Sequence, residues 1–498
     1  MFQKINFLLL KKNLINIFNF IFLIIFLWIY MNVLLNNIHW LTKDLNLFII
    51  FFNVIIFIIL YKILLRANNF FKNKLHIFMF ILIIVLQIVC ICNLKVNPSW
   101  DFSAIYEIAK NISQGKEFNE YYLYKFRNNI GISLFFMIIY KIFHVTDYYN
   151  ISCIINIFII DLSIFFSYKL IKNKFNYEKT LLFLSLCLGT TPLYTYSTIF
   201  YTDTISMIYP VLIYCIYLKL KQDKKIYFYS LLLGIIAFLG STIKFSVIII
   251  LIACLVNLIL KNKIKLVYKE IIVIILSYFL SSVIFCFVVN NSKIFSFDMY
   301  AKSPIPPQHW VMMGLIEEGG WSENEYNFTY KLIKDNNGNR KKVEKSINNK
   351  IVERLKNYKV NGYIKFLTKK NVFTWGDGTY VAPEKLRREP IKQNKIHEVV
   401  LYENKYFNYF SYFSQTTHII VLAGILISIF YALKNKKQDD FDVLRITIFG
   451  LVLFFSLWET RSRYLVNYIP IFLILAVSVD YNKFYRDLKN ILFISDKK

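Results

Sequence analysis

Residues 130–143, IGISLFFMIIYKIF, decide how this chain is threaded. A hydrocarbon core of about 30 Å takes about 20 helical residues, and this run falls short. Longer apolar runs lie on both sides, at roughly 14–35, 46–65, 75–93, 149–169, 180–199, 204–220, 226–242, 245–260, 267–289, 415–434, 442–458 and 464–481. Lys4, Lys11 and Lys12 place the N-terminus inside, because short cytoplasmic loops collect Lys and Arg. Lys62, Arg66, Lys72 and Lys74 then fall inside too, and the loop 94–129 falls outside. Were 130–143 to cross fully, Lys169, Lys172, Lys174 and Lys179 would land outside, against the rule. Laid in the outer interface or re-entrant, it sends every later cluster inside: Lys219 to Lys225, Lys261 to Lys265, Lys434 to Lys437, and Lys483 to Lys489. The expectation is an all-α polytopic membrane protein of about twelve spans, with both termini cytoplasmic.

Composition agrees. Of 498 residues, 57% are hydrophobic and 18% aromatic, and the mean hydropathy is +0.46, above the apolar share of soluble domains. The formal charge of +28 resides largely in the short loops that set topology, so it signals membrane orientation and not a nucleic-acid partner. The apolar run after Lys12 continues to Leu35 without a small-residue cleavage site, so it reads as an anchor. All seven cysteines lie in or beside apolar segments with no CxxC pair, which fits small buried hydrophobes better than a disulfide or metal framework.

Three regions follow: a transmembrane core over 1–289 carrying the outer loop 94–129, an extracytoplasmic cap over 290–414, and C-terminal transmembrane helices with a short cytoplasmic tail over 415–498. The cap has a proline-rich entry at Ser303–Pro307, a Gly319–Gly320 turn, a helix expected around Arg340–Leu355, and the turn TWGDGTY at 374–380.

The outer face then carries charges that the positive-inside trend does not explain. Asp101 stands just beyond the apolar run 78–91, where a carboxylate is costly unless it faces a cavity; the plain alternative is an N-cap for a helix over 102–110. Asp203, in IFYTDTIS, has the same two readings. Lys125, Arg127, Lys244, Arg461 and Arg463 form a pool of outer cations suited to an anionic lipid phosphate, with arginine able to grip two oxygens; headgroup anchoring or snorkelling is the alternative. Glu107, His309, Trp310, Trp375 and Glu459 are weaker candidates for acceptor or sugar contact. His39, His76, His144, His397 and His418 show no metal-ligand spacing.

A first outer-loop Asp, then YYLYKFRNNIG running into a short helix that ends KIFHV, then TTPLYTYSTIFYTDT, a STIKFS turn and an outer ETRSRYLVNYIP occur in that order. This order resembles the GT-C membrane glycosyltransferases, specifically bacterial relatives of the protein O-mannosyltransferases and of the lipid A aminoarabinose transferase (glycosyltransferase family 39-like). The similarity covers roughly 75–290 and 440–481; two additional spans precede the loop bearing Asp101, and 290–414 matches no soluble domain of that group. The resemblance implies a bacterial plasma-membrane enzyme that moves one sugar, with inversion, from a polyprenyl-phosphate donor to a cell-envelope acceptor hydroxyl on the outer face. The acceptor is left open among glycopolymer, lipid and protein. In that scheme Asp101 is the general base and Asp203 orients the acceptor or shares a divalent ion (Mg or Mn) with Asp101. The competing classes are a polymerase or ligase of lipid-linked oligosaccharides, which would share the outer arginines, and a flippase, which would need charges along a mid-membrane path.

Overall fold

The computed structural model describes residues 2–36, 45–66, 69–144, 146–222, 224–302, 304–435 and 439–493. His39, Lys436 and Lys437 lie outside the described residues, as do the side chains of Lys4, Lys11, Lys12 and Lys72. The fold is helical. The first half runs through α1 Phe2–Leu35, α2 Leu47–Leu65, α3 Asn69–Asn93, α4 Trp100–Ser113, α5 Glu120–Lys125, α6 Ile130–Phe143, α7 Tyr148–Lys174, α8 Tyr177–Gly189, α9 Pro192–Thr195, α10 Thr202–Ile205, α11 Ile208–Gln222, α12 Ile226–Ile243, α13 Ile248–Lys261 and α14 Ile264–Asn291. The cap contributes α15 Gln308–Met313, α16 Glu323–Asp335, α17 Arg340–Trp375, α18 Ala382–Leu386 and α19 His397–Val400. The chain then ends with α20 Phe407–Asn435, α21 Asp442–Leu457, α22 Ile469–Val477 and α23 Tyr481–Phe493.

Among the described residues eight helices are long and apolar enough to cross a membrane, or nine if the segments Ser462–Val477 and Tyr481–Asp487, bent by 56°, make one span. Three of the twelve expected spans lie in none of these segments and form shorter helices: α8 of 13 residues, α13 of 14 and α21 of 16. The physical reason is visible at α8. From Thr180 onward its residues are nearly all buried, and beyond Gly189 the chain breaks into short turns up to Tyr201. Exposed backbone cannot be left unbonded at such depth. Gln87 Nε2 donates to Leu193 O at 3.1 Å, and Asn156 Nδ2 donates to Tyr196 O and Ser197 O at 2.8 and 3.1 Å.

Helix α6 has 14 residues, about 21 Å of rise, and both its ends lie at the same end of the bundle. Gly131 sits where any Cβ would fall 2.2 Å from the carbonyl oxygen of Thr242, in the last turn of α12. Near the other end Tyr140 bonds to Ser152 in the first turns of α7, at 2.6 Å. At the opposite end of α7 the basic loop ends meet: Lys174 and Lys221 reach Asp440 at 2.5 and 2.7 Å, and Lys261 reaches Asp442 at 3.0 Å. Arg445, 2% exposed, closes this group by bonding Asp442 at 2.6 Å. The loops expected to share one side of the membrane therefore share one end of the bundle.

The cap is anchored to the core. Helix α17 kinks at Lys359, where φ is +50°, and its last turns are buried against the bundle. There Trp375 packs edge-on against Phe26 of α1 and tilts against Phe472 of α22. An antiparallel bridge, Val96 to Pro390, ties the outer loop after α3 to the segment after α18, with Asn97 N donating to Glu389 O and Ile391 N to Lys95 O. All seven cysteines are unpaired, and four are buried.

Candidate functional site

The bridge Val96–Pro390 brings Trp100 and Asp101, from one side of the sequence, to Lys385, from the other. Trp100 has φ of +50°, a left-handed conformation that costs a bulky residue free energy and persists only where its surroundings impose it. Its indole carries two cations. Lys385 Nζ lies 4.1 Å and the Arg463 guanidinium carbon 4.6 Å from the ring centroid. Arg463 also stacks near Tyr201 and Tyr464, at 5.1 and 5.3 Å.

Asp101 follows directly, in the first turn of α4. It does not cap the helix: the N-cap position is Ser99, and no side chain bonds there. Instead its Oδ1 accepts the Tyr122 hydroxyl at 2.7 Å, and Tyr122 in turn accepts Asn129 Nδ2 at 2.6 Å. Burial and the Asp101 carboxylate both push the Tyr122 phenol well above its ordinary range, so Tyr122 stays a proton donor to Asp101.

Asp203 is 1% exposed and is held between cations. Lys244 Nζ lies 2.5 Å from its Oδ1 and Arg463 Nε 3.5 Å from its Oδ2. Lys244 also donates to the carbonyl of Tyr464 at 3.0 Å. This is the position of a counter-ion, not of a group that reaches an acceptor. Sharing a divalent ion with Asp101 does not fit it either, because Lys244 bonds one Asp203 oxygen and the Arg463 guanidinium faces the other. Among the described residues no cluster of three or more His, Cys, Asp or Glu side chains could hold a metal.

The turn 459–463 is clamped from the cap. Glu459 N donates to Trp310 O and Thr460 N to Gly319 O, at 3.0 and 2.8 Å. Thr374 and Thr460 share a hydroxyl bond of 3.0 Å, and Ser462 Oγ donates to Asp377 at 3.2 Å. Gly314 permits the approach, since a Cβ there would fall 2.5 Å from the Trp458 carbonyl carbon. The buried Glu459 accepts the Tyr464 hydroxyl at 2.7 Å, and burial raises its carboxyl above the usual range. Burial also pushes the Lys370 ammonium, which donates to Gly314 O, down to about 7.

This group holds donors that lack an acceptor among the described residues. Arg463 Nη1 is buried with no hydrogen-bond partner, and Lys385, 5% exposed, has its ammonium over Trp100 with no carboxylate bonded to it among the described residues. Burial, with Arg463, Arg388 and Arg461 adding to it, pushes the Lys385 ammonium down to about 6. An anion placed between these cations would reverse both effects.

A family model described as a conserved hypothetical integral membrane protein matches residues 7–483. The chain belongs to that family. No curated protein and no solved structure matches it.

In this integral membrane protein the tertiary structure sorts the candidates. Asp101, Asp203, Lys244, Glu459 and Arg463 gather around Trp100 and Tyr201, and Arg461 lies close enough to act on Lys385. Lys125 and Arg127 belong elsewhere. Lys125 sits over Tyr121 and Tyr330 at 4.4 and 4.3 Å, while Arg127 donates to Met299 O at 3.2 Å and to Ala301 O, holding the segment after α14. Glu107 is exposed and pairs with Lys110 at 3.6 Å. His309 is buried and bonded to Thr329 at 2.7 Å. Trp310 packs edge-on against the His309 ring and reaches the site only through its carbonyl. Trp375 is 1% exposed, in the core, and offers no stacking face to a sugar. His76, His397 and His418 bond to Tyr168, Asn394 and Trp375 O in turn.

Lys385, Trp100, Tyr122 and Tyr201 escaped the sequence reading. Lys385 sits in PEKLRREP among several basic residues, and nothing local distinguishes it from a solvated loop. Trp100 carried a signal, its adjacency to Asp101, that could have been followed.

Proposed function

We propose that this protein is a membrane glycosyltransferase that moves a sugar, with inversion, from a polyprenyl-phosphate carrier to an acceptor hydroxyl at the outer face. The observation that carries the reading is the pair of unmet cationic donors on Trp100, Lys385 Nζ and Arg463 Nη1, beside the carboxylate of Asp101. The phosphate is a good leaving group, so the reaction asks for a base on the acceptor and cations on the departing charge. Asp101 takes the proton of the acceptor hydroxyl. The acceptor oxygen bonds to the anomeric carbon on the face opposite the phosphate, and the carbon–oxygen bond to phosphate breaks. Both electrons leave with the phosphate, whose charge Arg463, Lys385 and Arg461 neutralise. Asp203 keeps Arg463 and Lys244 in place. The threading that suits this reading has about twelve crossings, counting α8, α13 and α21, both termini in the cytoplasm of a bacterial cell and the Trp100 cluster on the outer side.

The test is transfer from a polyprenyl-phosphate sugar in proteoliposomes. Asp101→Asn, which keeps the Tyr122 bond, is expected to abolish transfer while the protein remains monodisperse; undiminished transfer would sink the base assignment. Lipid translocation that survives in the same variant would favour a flippase.

A further inference from the structure

Asp161 is the fourteenth of the 27 residues of α7, halfway along a helix apolar enough to span a membrane. It shares a stripe with Ile154, Phe158 and Phe165, spaced at three and four residues, and those three side chains are 58, 56 and 46% exposed on the outside of the bundle. A carboxylate on such a stripe faces hydrocarbon, where an unpaired charge is expensive.

Its one described partner is neutral: Gln87 Nε2, from α3, donates to Asp161 Oδ1 at 2.9 Å. The charged groups of helices packed on α7 lie toward its ends. His76 of α3, Glu178 and Lys179 of α8, and Lys219 and Lys221 of α11 lie toward the end that holds Lys172 and Lys174, and Asp203 of α10 lies at the other, paired with Lys244. Cys90, Cys187, Tyr194, Tyr196, Tyr214 and Tyr217, along those helices and the break, are buried thiols and phenols that carry no charge near pH 7.

Gln87 supplies the second observation. Its other N–H donates to Leu193 O at 3.1 Å. The Leu193 carbonyl can only accept, so the amide can be oriented only this way, with Oε1 turned to a place where it finds no donor. Gln87 is 0% exposed, and a bare acceptor at that depth is costly.

We propose that Asp161 and Gln87 form a proton-binding site at the lipid-facing seam between α3 and α7, with Asp161 carrying the proton at rest. A proton on the carboxyl removes the charge from the hydrocarbon and supplies an O–H donor for Gln87 Oε1, pairing acid and amide through two bonds. The site stands apart from the Trp100 cluster, and its test does not depend on glycosyl transfer.

Dicyclohexylcarbodiimide partitions into lipid and adds to protonated carboxyls. With the full-length protein in proteoliposomes, mass spectrometry should find it on Asp161 at neutral pH, and the modification should fade as the pH rises. In Asp161→Asn it should vanish. In Gln87→Leu the protonated carboxyl loses the acceptor for its O–H, so the pH profile should move downward by about one unit. Absence of modification in the wild-type protein, or an unmoved or raised profile in Gln87→Leu, overturns the proposal. Protection by sodium at constant pH would also overturn it, by assigning the site to a metal cation.

Discussion

Lys244 Nζ lies 2.5 Å from Asp203 Oδ1, at a carboxylate that is 1% exposed. The pair joins the end of α12 to α10, and Arg463 completes it from the turn before α22. A buried pair of this kind is worth little relative to apolar side chains, but breaking it strands a charge.

Asp203→Asn is therefore expected to cost about 3–5 kcal/mol of stability, because Lys244 keeps its charge without a counter-ion. Adding Lys244→Met to that variant should recover much of the loss. Thermal unfolding in detergent, followed for both single variants and the double variant, measures the coupling. Additive losses would show that the pair does not act as a unit.

Tyr122 donates to Asp101 without reacting itself. Tyr122→Phe should slow transfer by about tenfold or more, the worth of one hydrogen bond to a charged group. Asp101→Asn should slow it by about 10²–10⁴, as expected for loss of a general base. The two rates, measured at saturating donor, separate positioning from proton transfer. Equal losses would mean that Tyr122 itself takes part in the chemistry.

Lys385 gives a pH dependence whose sign can be worked out. Its ammonium titrates at about 6 in the folded protein and near 10.4 when unfolded. Between those values the unfolded chain binds more protons, so stability rises with pH across that window and the penalty is greatest at its acid end. Lys385→Met should flatten this slope in thermal unfolding scans. Under the proposed function, donor binding draws a proton onto Lys385, so the wild-type KM for donor should rise above pH 6 and that of Lys385→Met should not.

Arg463 and Arg127 look interchangeable in sequence and should behave differently. Arg463→Lys loses the planar stack on Trp100, Tyr201 and Tyr464 and should leave about a tenth or less of the activity. Arg127→Ala removes the donor to Met299 and Ala301 and should lower the unfolding temperature while leaving KM for donor unchanged. A raised KM in Arg127→Ala would return that residue to the phosphate pool.

Much of this was legible along the chain because it depends on local pattern. Long apolar runs determined that the protein is integral to a membrane, since only helices of about 20 apolar residues satisfy their backbone inside hydrocarbon. The spacing of lysines between those runs placed the loop ends of α7, α11 and α13 together, and they do meet around Asp440 and Asp442. Charges that defied that spacing pointed to Asp101, Asp203, Lys244 and Arg463, which the fold unites.

What each of them does was decided only by the tertiary structure. Asp101 and Asp203 look alike in sequence, each an acidic residue in the first turn of a helix. One bonds a tyrosine beside two unmet cations; the other is enclosed by Lys244 and Arg463. Lys385 reaches Trp100 because the Val96–Pro390 bridge folds the cap back onto the first outer loop. Such contacts join segments far apart in the chain, and the desolvation that tunes a charge comes from all of them together, so no local pattern encodes it.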